Sequence, residues 1–202
     1  MDCRRNKVIA HLYVKKERYE TAYPWFKQLQ EQGLNPVYIT TDGHPSIIRA
    51  LRTVWPLAKL QRCLYHIQRE GCRWLRTYPK TGAGVELKKI LLKLSSIKTK
   101  DEQNQFIESY KNWLKQYKDF VVKLPRTTVA SKDLKRTMTL INNALPNMFH
   151  FLDDSNIYAT TNALEGYHSM LKSDYQRHRG LSKQHRISYI NWYNYFKNSN
   201  TF

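Results

Sequence analysis

The stretch Pro36-Val37-Tyr38-Ile39-Thr40-Thr41-Asp42-Gly43-His44-Pro45-Ser46-Ile47-Ile48-Arg49-Ala50 changes character twice within fifteen residues. Val37 to Thr41 is rich in β-branched and aromatic side chains and reads as a short strand. Asp42-Gly43 is a turn pair. Pro45 suits the first turn of a helix, where its missing N–H costs nothing, and Ile47, Ile48, Leu51 and Val54 then recur at helical steps until Pro56. Strand, turn and helix in this order form half of a βαβ unit.

The flanks extend the pattern. Upstream, Lys7 to Val14 reads as a buried strand, and Tyr19, Ala22, Tyr23, Phe26 and Leu29 mark a helix over 17–32, with Gly33 as its stop. Downstream, Leu57 to Cys63 reads as a third strand leading into a basic helix from His66 to Leu75. Alternating strands and helices predict an α/β fold with a largely parallel sheet at the front of the chain.

Behind that front the pattern becomes all-helical. Thr77 to Gly84 reads as a loop. Leu87, Ile90, Leu91 and Leu94 then share a face over 85–97, and Phe106, Tyr110, Trp113, Tyr117 and Phe120 share one over 101–122. A shorter helix is expected over 132–145, up to Pro146. Aromatic stripes at this spacing read as core. In the tail, helices are expected over 162–175 and 184–196, joined by the basic turn Gln176-Arg-His-Arg-Gly180. The expected division is 1–76 for the α/β front, 77–156 for the helical insertion and 157–202 for a closing segment.

The 202 residues carry 34 Lys+Arg against 16 Asp+Glu, a net charge of +18. The excess is concentrated, with 13 basic and 2 acidic side chains in residues 49–100. Such a field favours a polyanionic partner, nucleic acid above all, and leaves a solvated basic surface as the plainer reading. No run approaches the roughly 18 apolar residues of a membrane span, and no apolar signal core follows Met1. Neither a membrane nor a small-molecule substrate is expected. Three irregularly spaced cysteines fit a reducing compartment.

Asp42 follows a strand and precedes a helix, where open α/β sheets bind ligands; as a turn aspartate it also has a purely local reading. Glu165 fits the third position of a helix capped by Asn162, close to a capping box. It shares a stripe with Ser169 and Lys172 beside the apolar stripe of Leu164, Tyr167, Leu171 and Tyr175. Cys63-Leu-Tyr-His66, with Cys72 beyond it, has zinc-like spacing but lacks a second ligand pair, so a buried Cys hydrogen-bonded to His is the favoured reading.

Three of these stretches together resemble one family. Ile39-Thr-Thr-Asp-Gly-His-Pro-Ser-Ile-Ile-Arg-Ala50 is similar to the second-aspartate segment of DDE transposases of the bacterial insertion-sequence and Mutator-like type. Pro56-Leu-Ala-Lys-Leu-Gln-Arg-Cys-Leu-Tyr-His66 resembles their Cys-x-x-His segment. Thr160-Thr-Asn-Ala-Leu-Glu-Gly-Tyr-His-Ser-Met-Leu-Lys172, followed by Arg177-His-Arg-Gly180, resembles their closing glutamate helix. The resemblance spans about residues 8–190.

It implies a ribonuclease-H-like core, incomplete at its N-terminus, with an all-α insertion before the final catalytic helix. It also implies metal-dependent DNA cleavage and strand transfer in transposition. Asp42 and Glu165 match the second and third catalytic, metal-binding carboxylates; two Mg²⁺ (or Mn²⁺) ions would sit among three such groups. Cys63 and His66 would lie near the active site, and Arg62, Arg69, Arg73, Lys172, Arg177 and Arg179 are the candidate DNA contacts. The implied partners are transposon ends and target DNA, with a homodimer as the assembly, and a bacterial host would place the protein in the cytoplasm at the nucleoid. The family's first aspartate lies on a strand upstream of the segment that resembles Asp2-Cys-Arg-Arg-Asn-Lys-Val-Ile. Asp2 reads as a turn residue and is not assigned that role. The expectation is therefore a transposase lacking its front, with crippled metal affinity and low activity. The alternative is a DNA-binding remnant without enzymatic function.

Overall fold

The computed structural model describes residues 1–178 and 180–199. Its fold is α/β and mostly helical. Helix α1 (Tyr19–Glu31) leads to strand β1 (Tyr38–Thr41), helix α2 (Pro45–Val54), strand β2 (Lys59–Arg62) and helix α3 (Leu64–Leu75). The strands pair in parallel, Tyr38 opposite Lys59 and Thr41 opposite Arg62, as the strand–turn–helix reading requires. Gly33, at φ +94°, ends the α1 segment in the left-handed region.

The expected strand over 7–14 does not form. This stretch makes one isolated antiparallel bridge, Asp2 with Lys7, and then runs without a ladder. β-Propensity needs a pairing partner to act on. Here the Val8 backbone N–H and C=O are taken instead by the side-chain amide of Asn198, at 3.0 and 2.8 Å. Ile9 and Tyr13 remain about half exposed, at 53% and 48%. Asp2 does act as a turn residue, its Oδ1 accepting the Arg4 and Arg5 N–H groups.

Behind the sheet lie α4 (Gly82–Leu92), α5 (Lys100–Lys123) and α6 (Val129–Ala144), followed by α7 (Asn162–Arg177) and α8 (Lys183–Ser199). Helix α4 starts inside the expected loop, because the Thr81 hydroxyl accepts the Gly84 N–H at 3.1 Å and so caps a first turn built from glycines. A reciprocal Thr99–Glu102 box starts α5.

Two apolar clusters hold the fold. The smaller, with Leu51, Val54, Trp55 and Leu60 at its centre, packs α1 and α2 onto one face of the sheet. Ile39 and Leu60, paired across the strands, belong to it. The larger runs from Leu64 to Phe149 and joins α3, α4, α5 and α6, so α3 belongs to the helical core as much as to the sheet. Polar anchors fix its register. Trp113 Nε1 donates to the Ala83 carbonyl at 2.8 Å, and the Tyr110 hydroxyl donates to Asn142 Oδ1 at 2.9 Å. Gln61, fully buried on β2, donates to the Met148 carbonyl at 2.6 Å and ties the sheet to this core. Among the described residues, no helix is long and apolar enough to cross a membrane.

Candidate active site at the ends of the strands

Asp42 follows directly on β1. Its Oδ1 accepts the His44 N–H at 3.2 Å and the Thr41 hydroxyl at 3.3 Å, a local turn of the Asx kind. Gly43 adopts φ +101°, and a Cβ built there would lie 1.9 Å from Arg62 Nη2. Only glycine lets the Arg62 side chain cross beneath the turn, where Nη2 lies 3.5 Å from the Asp42 carbonyl oxygen.

Glu165 reaches this region through a strap of residues 154–161. The Tyr38 hydroxyl donates to Asp154, the Thr40 hydroxyl to the Tyr158 carbonyl at 2.8 Å, and the Leu64 N–H to the Ala159 carbonyl at 3.0 Å. Together these lay the strap along β1 and against the start of α3, and deliver the start of α7 to the C-terminal end of the sheet. Asp42 and Glu165 consequently line one cavity of about 590 Å³. Glu17, His11 and His168 line it too, residues that the sequence did not single out as site candidates.

The cap of α7 differs from the sequence expectation. Thr161, not Asn162, is the N-cap, and its side chain makes no capping bond. The reason is competition: the buried Thr161 hydroxyl lies 3.4 Å from both Cys63 Sγ and His66 Nδ1, and its N–H donates to the same sulfur at 3.3 Å. His66 Nδ1 faces Cys63 Sγ at 3.2 Å, which is the buried, hydrogen-bonded Cys–His arrangement favoured from the sequence. The opposite ring nitrogen, Nε2, faces Glu165 Oε1 at 3.6 Å, within ion-pair reach though longer than a hydrogen bond. The imidazole is 10% exposed and the Glu165 side chain 49%, so a buried ring backs a carboxylate that opens to the cavity. Cys72 lies apart, against the helical core, where burial pushes its thiol pKa up.

The other sequence candidates scatter. Arg69 and Arg73 are exposed on α3, Arg69 over the Tyr65 ring at 5.7 Å and Arg73 paired with Glu70 at 2.5 Å. Lys172 is exposed on α7, and Arg177 pairs with Asp174 at 3.7 Å. Arg62 is buried, at 6% exposure. Arg179 lies outside the described residues.

As a metal centre the donor set falls short. Among the described residues, no three His, Cys, Asp or Glu side chains come together as a group able to hold an ion. Asp42, Glu165 and Glu17 offer hard oxygens on this cavity, the ligand type that Mg²⁺ and Mn²⁺ take, but they do not converge as one ligand group.

Comparison with known proteins gives one result. The profile described as Transposase, Mutator family, matches residues 4–181. No curated protein and no solved structure matches the chain. The matched span covers β1 with Asp42, the Cys63–His66 pair and the whole of α7, and the chain belongs to the Mutator family of transposases.

Proposed function

We propose that this chain is the DNA-cleaving and strand-transferring part of a Mutator transposase, with Asp42 and Glu165 as two of its catalytic carboxylates. The observation that carries the reading is their meeting on one cavity, although they lie 123 positions apart in the sequence. The parallel strands with flanking helices support a ribonuclease-H-like core, with residues 77–156 as a helical insertion. Mg²⁺ or Mn²⁺ enters this reading through donor chemistry alone, since carboxylate oxygens are what such ions prefer. DNA is the partner that family membership implies, and a homodimer on two transposon ends is part of the proposal.

In this reading Asp42 is preset by its turn and Glu165 by the His66–Cys63–Thr161 cluster behind it. Carboxylates fixed before substrate arrives lose little entropy at the moment of reaction. Cys63 and His66 are positioning residues.

A second reading, a DNA-binding remnant without catalysis, is favoured by the lack of a three-donor group among the described residues. A single assay separates the two. Nicking and joining of a DNA substrate in Mg²⁺ or Mn²⁺ is measured for the wild type, Asp42→Asn and Glu165→Gln, alongside DNA binding. Cleavage by the wild type that both variants lose, with binding retained, supports the enzyme. Binding without cleavage in all three supports the remnant.

A further inference from the structure

On the other side of the Asp42–Gly43 pair lies a second cavity, of about 900 Å³, lined by Gly43 where the first is lined by Asp42. Four arginines line it: Arg49 and Arg52 from α2, Arg62 from β2 and Arg136 from α6. No Asp or Glu does. From this geometry we infer a phosphodiester-binding cleft, in which α2, β2 and α6 together hold the backbone of a DNA strand beside the carboxylate cavity. The inference rests on the reading that the chain handles DNA, and it joins Arg49, Arg52 and Arg136 to Arg62, the one lining arginine already named as a candidate DNA contact.

Arg62 gives the strongest argument. Its side chain is buried, and its Nε has no hydrogen-bond partner among the described residues. Burying a guanidinium without matching acceptors is costly, and burial does lower the Arg62 pKa while the neighbouring Asp42 and Cys63 oppose that shift. Among the described residues no ion pair relieves it; its one bond is the long contact to the Asp42 carbonyl. An anion entering the cleft supplies the missing acceptor.

Two other arginines are held from behind. The Arg49 guanidinium lies 4.4 Å from the centre of the Tyr19 ring. Arg136 pairs with Asp133 and lies 5.3 Å from the centre of the Trp74 ring. Asp133 neutralises part of the Arg136 charge but also fixes its position. Charged forks preset in this way lose little entropy on meeting phosphate, and guanidinium groups match phosphate oxygens in pairs. Their spread over three elements suits successive phosphates on one strand better than a single small anion. Trp74 adds an aromatic face of the kind nucleic-acid grooves use.

The test compares variants of equal charge loss in the full chain. Arg49→Ala/Arg52→Ala removes two exposed side chains of the cleft, and Lys111→Ala/Lys115→Ala removes two from the outer face of α5. Binding of a fluorescent 20-base-pair duplex is titrated at several salt concentrations, with inorganic phosphate as competitor. The arginine pair is expected to weaken binding at least tenfold and to lower the salt slope by about two, one for each lost phosphate contact. The lysine pair is expected to change affinity less than threefold. Asn143→Glu, an exposed lining residue, places a negative charge in the cleft without removing any packing and is expected to weaken binding similarly.

Equal losses for the two pairs would reduce the effect to diffuse charge and overturn the inference. So would unchanged affinity in both cleft variants. Tight phosphate binding that the arginine pair abolishes, with duplex affinity intact, would make this a free-anion site. Failure of the wild type to bind any duplex would overturn the proposed function itself; wild-type binding with indifferent cleft variants overturns only the cleft.

Discussion

His66 Nε2 lies 3.6 Å from Glu165 Oε1 while the Nδ1 of the same ring faces Cys63 Sγ at 3.2 Å. One buried imidazole therefore links the end of β2 to the first turn of α7. Helix α7 has no capping bond of its own, because Thr161 has turned its hydroxyl toward that sulfur and ring. The direction in which Glu165 points thus depends on residues a hundred positions earlier.

Replacing His66 by Gln should leave duplex affinity within twofold while lowering cleavage at least tenfold, because the carboxylate loses its backing and the DNA surface does not change. Single-turnover nicking and fluorescence anisotropy on one preparation give both numbers. Thr161→Val keeps the shape and removes the hydroxyl, and should cost about 1 kcal/mol in urea unfolding.

Gly43→Ala should destabilise the chain by about 1–3 kcal/mol, since φ +101° strains any L-residue and the new Cβ would strike the Arg62 guanidinium. Only the collision can be relieved from outside. In a double-mutant cycle, Gly43→Ala/Arg62→Met should therefore be less destabilised than the two single changes predict together. Strict additivity would mean that the two side chains do not compete for space.

Asp133 is buried between Arg76, at 2.8 Å, and Arg136. Burial works against its ionisation, but the hydrogen bonds and charges of the two guanidinium groups outweigh it and hold the carboxyl below the ordinary 3.8. A carboxyl depressed in the folded state contributes stability above its unfolded value, and loses it as pH falls through the folded one. Asp133→Asn should thus cost about 2 kcal/mol at pH 7. That deficit should shrink progressively as pH falls below about 4 and through the depressed folded-state pKa, as read from urea midpoints across the range.

Leu87 and Leu92 lie on the same helix, α4, yet the first is fully buried and the second 54% exposed. Leu87→Ala should cost about 2–5 kcal/mol through the cavity it leaves, and Leu92→Ala under about 0.5 kcal/mol. Similar melting temperatures for the two variants would show that the larger apolar cluster does not hold the fold.

Much of the front of the molecule could be read from local pattern. Residues 36–54 announce strand, turn and helix through β-branched residues, a Gly with positive φ and a Pro at the helix start, and all three form where expected. The long amphipathic helices were equally plain, since their apolar spacing reports a buried face directly. Lys7 to Val14 departs from its strand pattern for an equally physical reason. A strand is a relation between two segments, and only the fold reveals that α8 reaches this one with Asn198 in place of a ladder. The cap of α7 departs from the capping expectation because Cys63 and His66 compete for the Thr161 hydroxyl, and the outcome depends on what lies nearby in space.

The sequence alone determined most of the elements and singled out the candidate site residues: Asp42 after a strand, Glu165 at the start of a helix, and Cys63 and His66 one helical turn apart. The tertiary structure alone decided which of them meet. It brought Glu165 to the cavity of Asp42 through the 154–161 strap, set His66 behind that carboxylate, and gathered Arg49, Arg52, Arg62 and Arg136 around one cleft although no spacing connects them. Local propensity acts over a few residues along the chain, whereas charge, burial and hydrogen bonding act between whichever groups the packed elements place side by side.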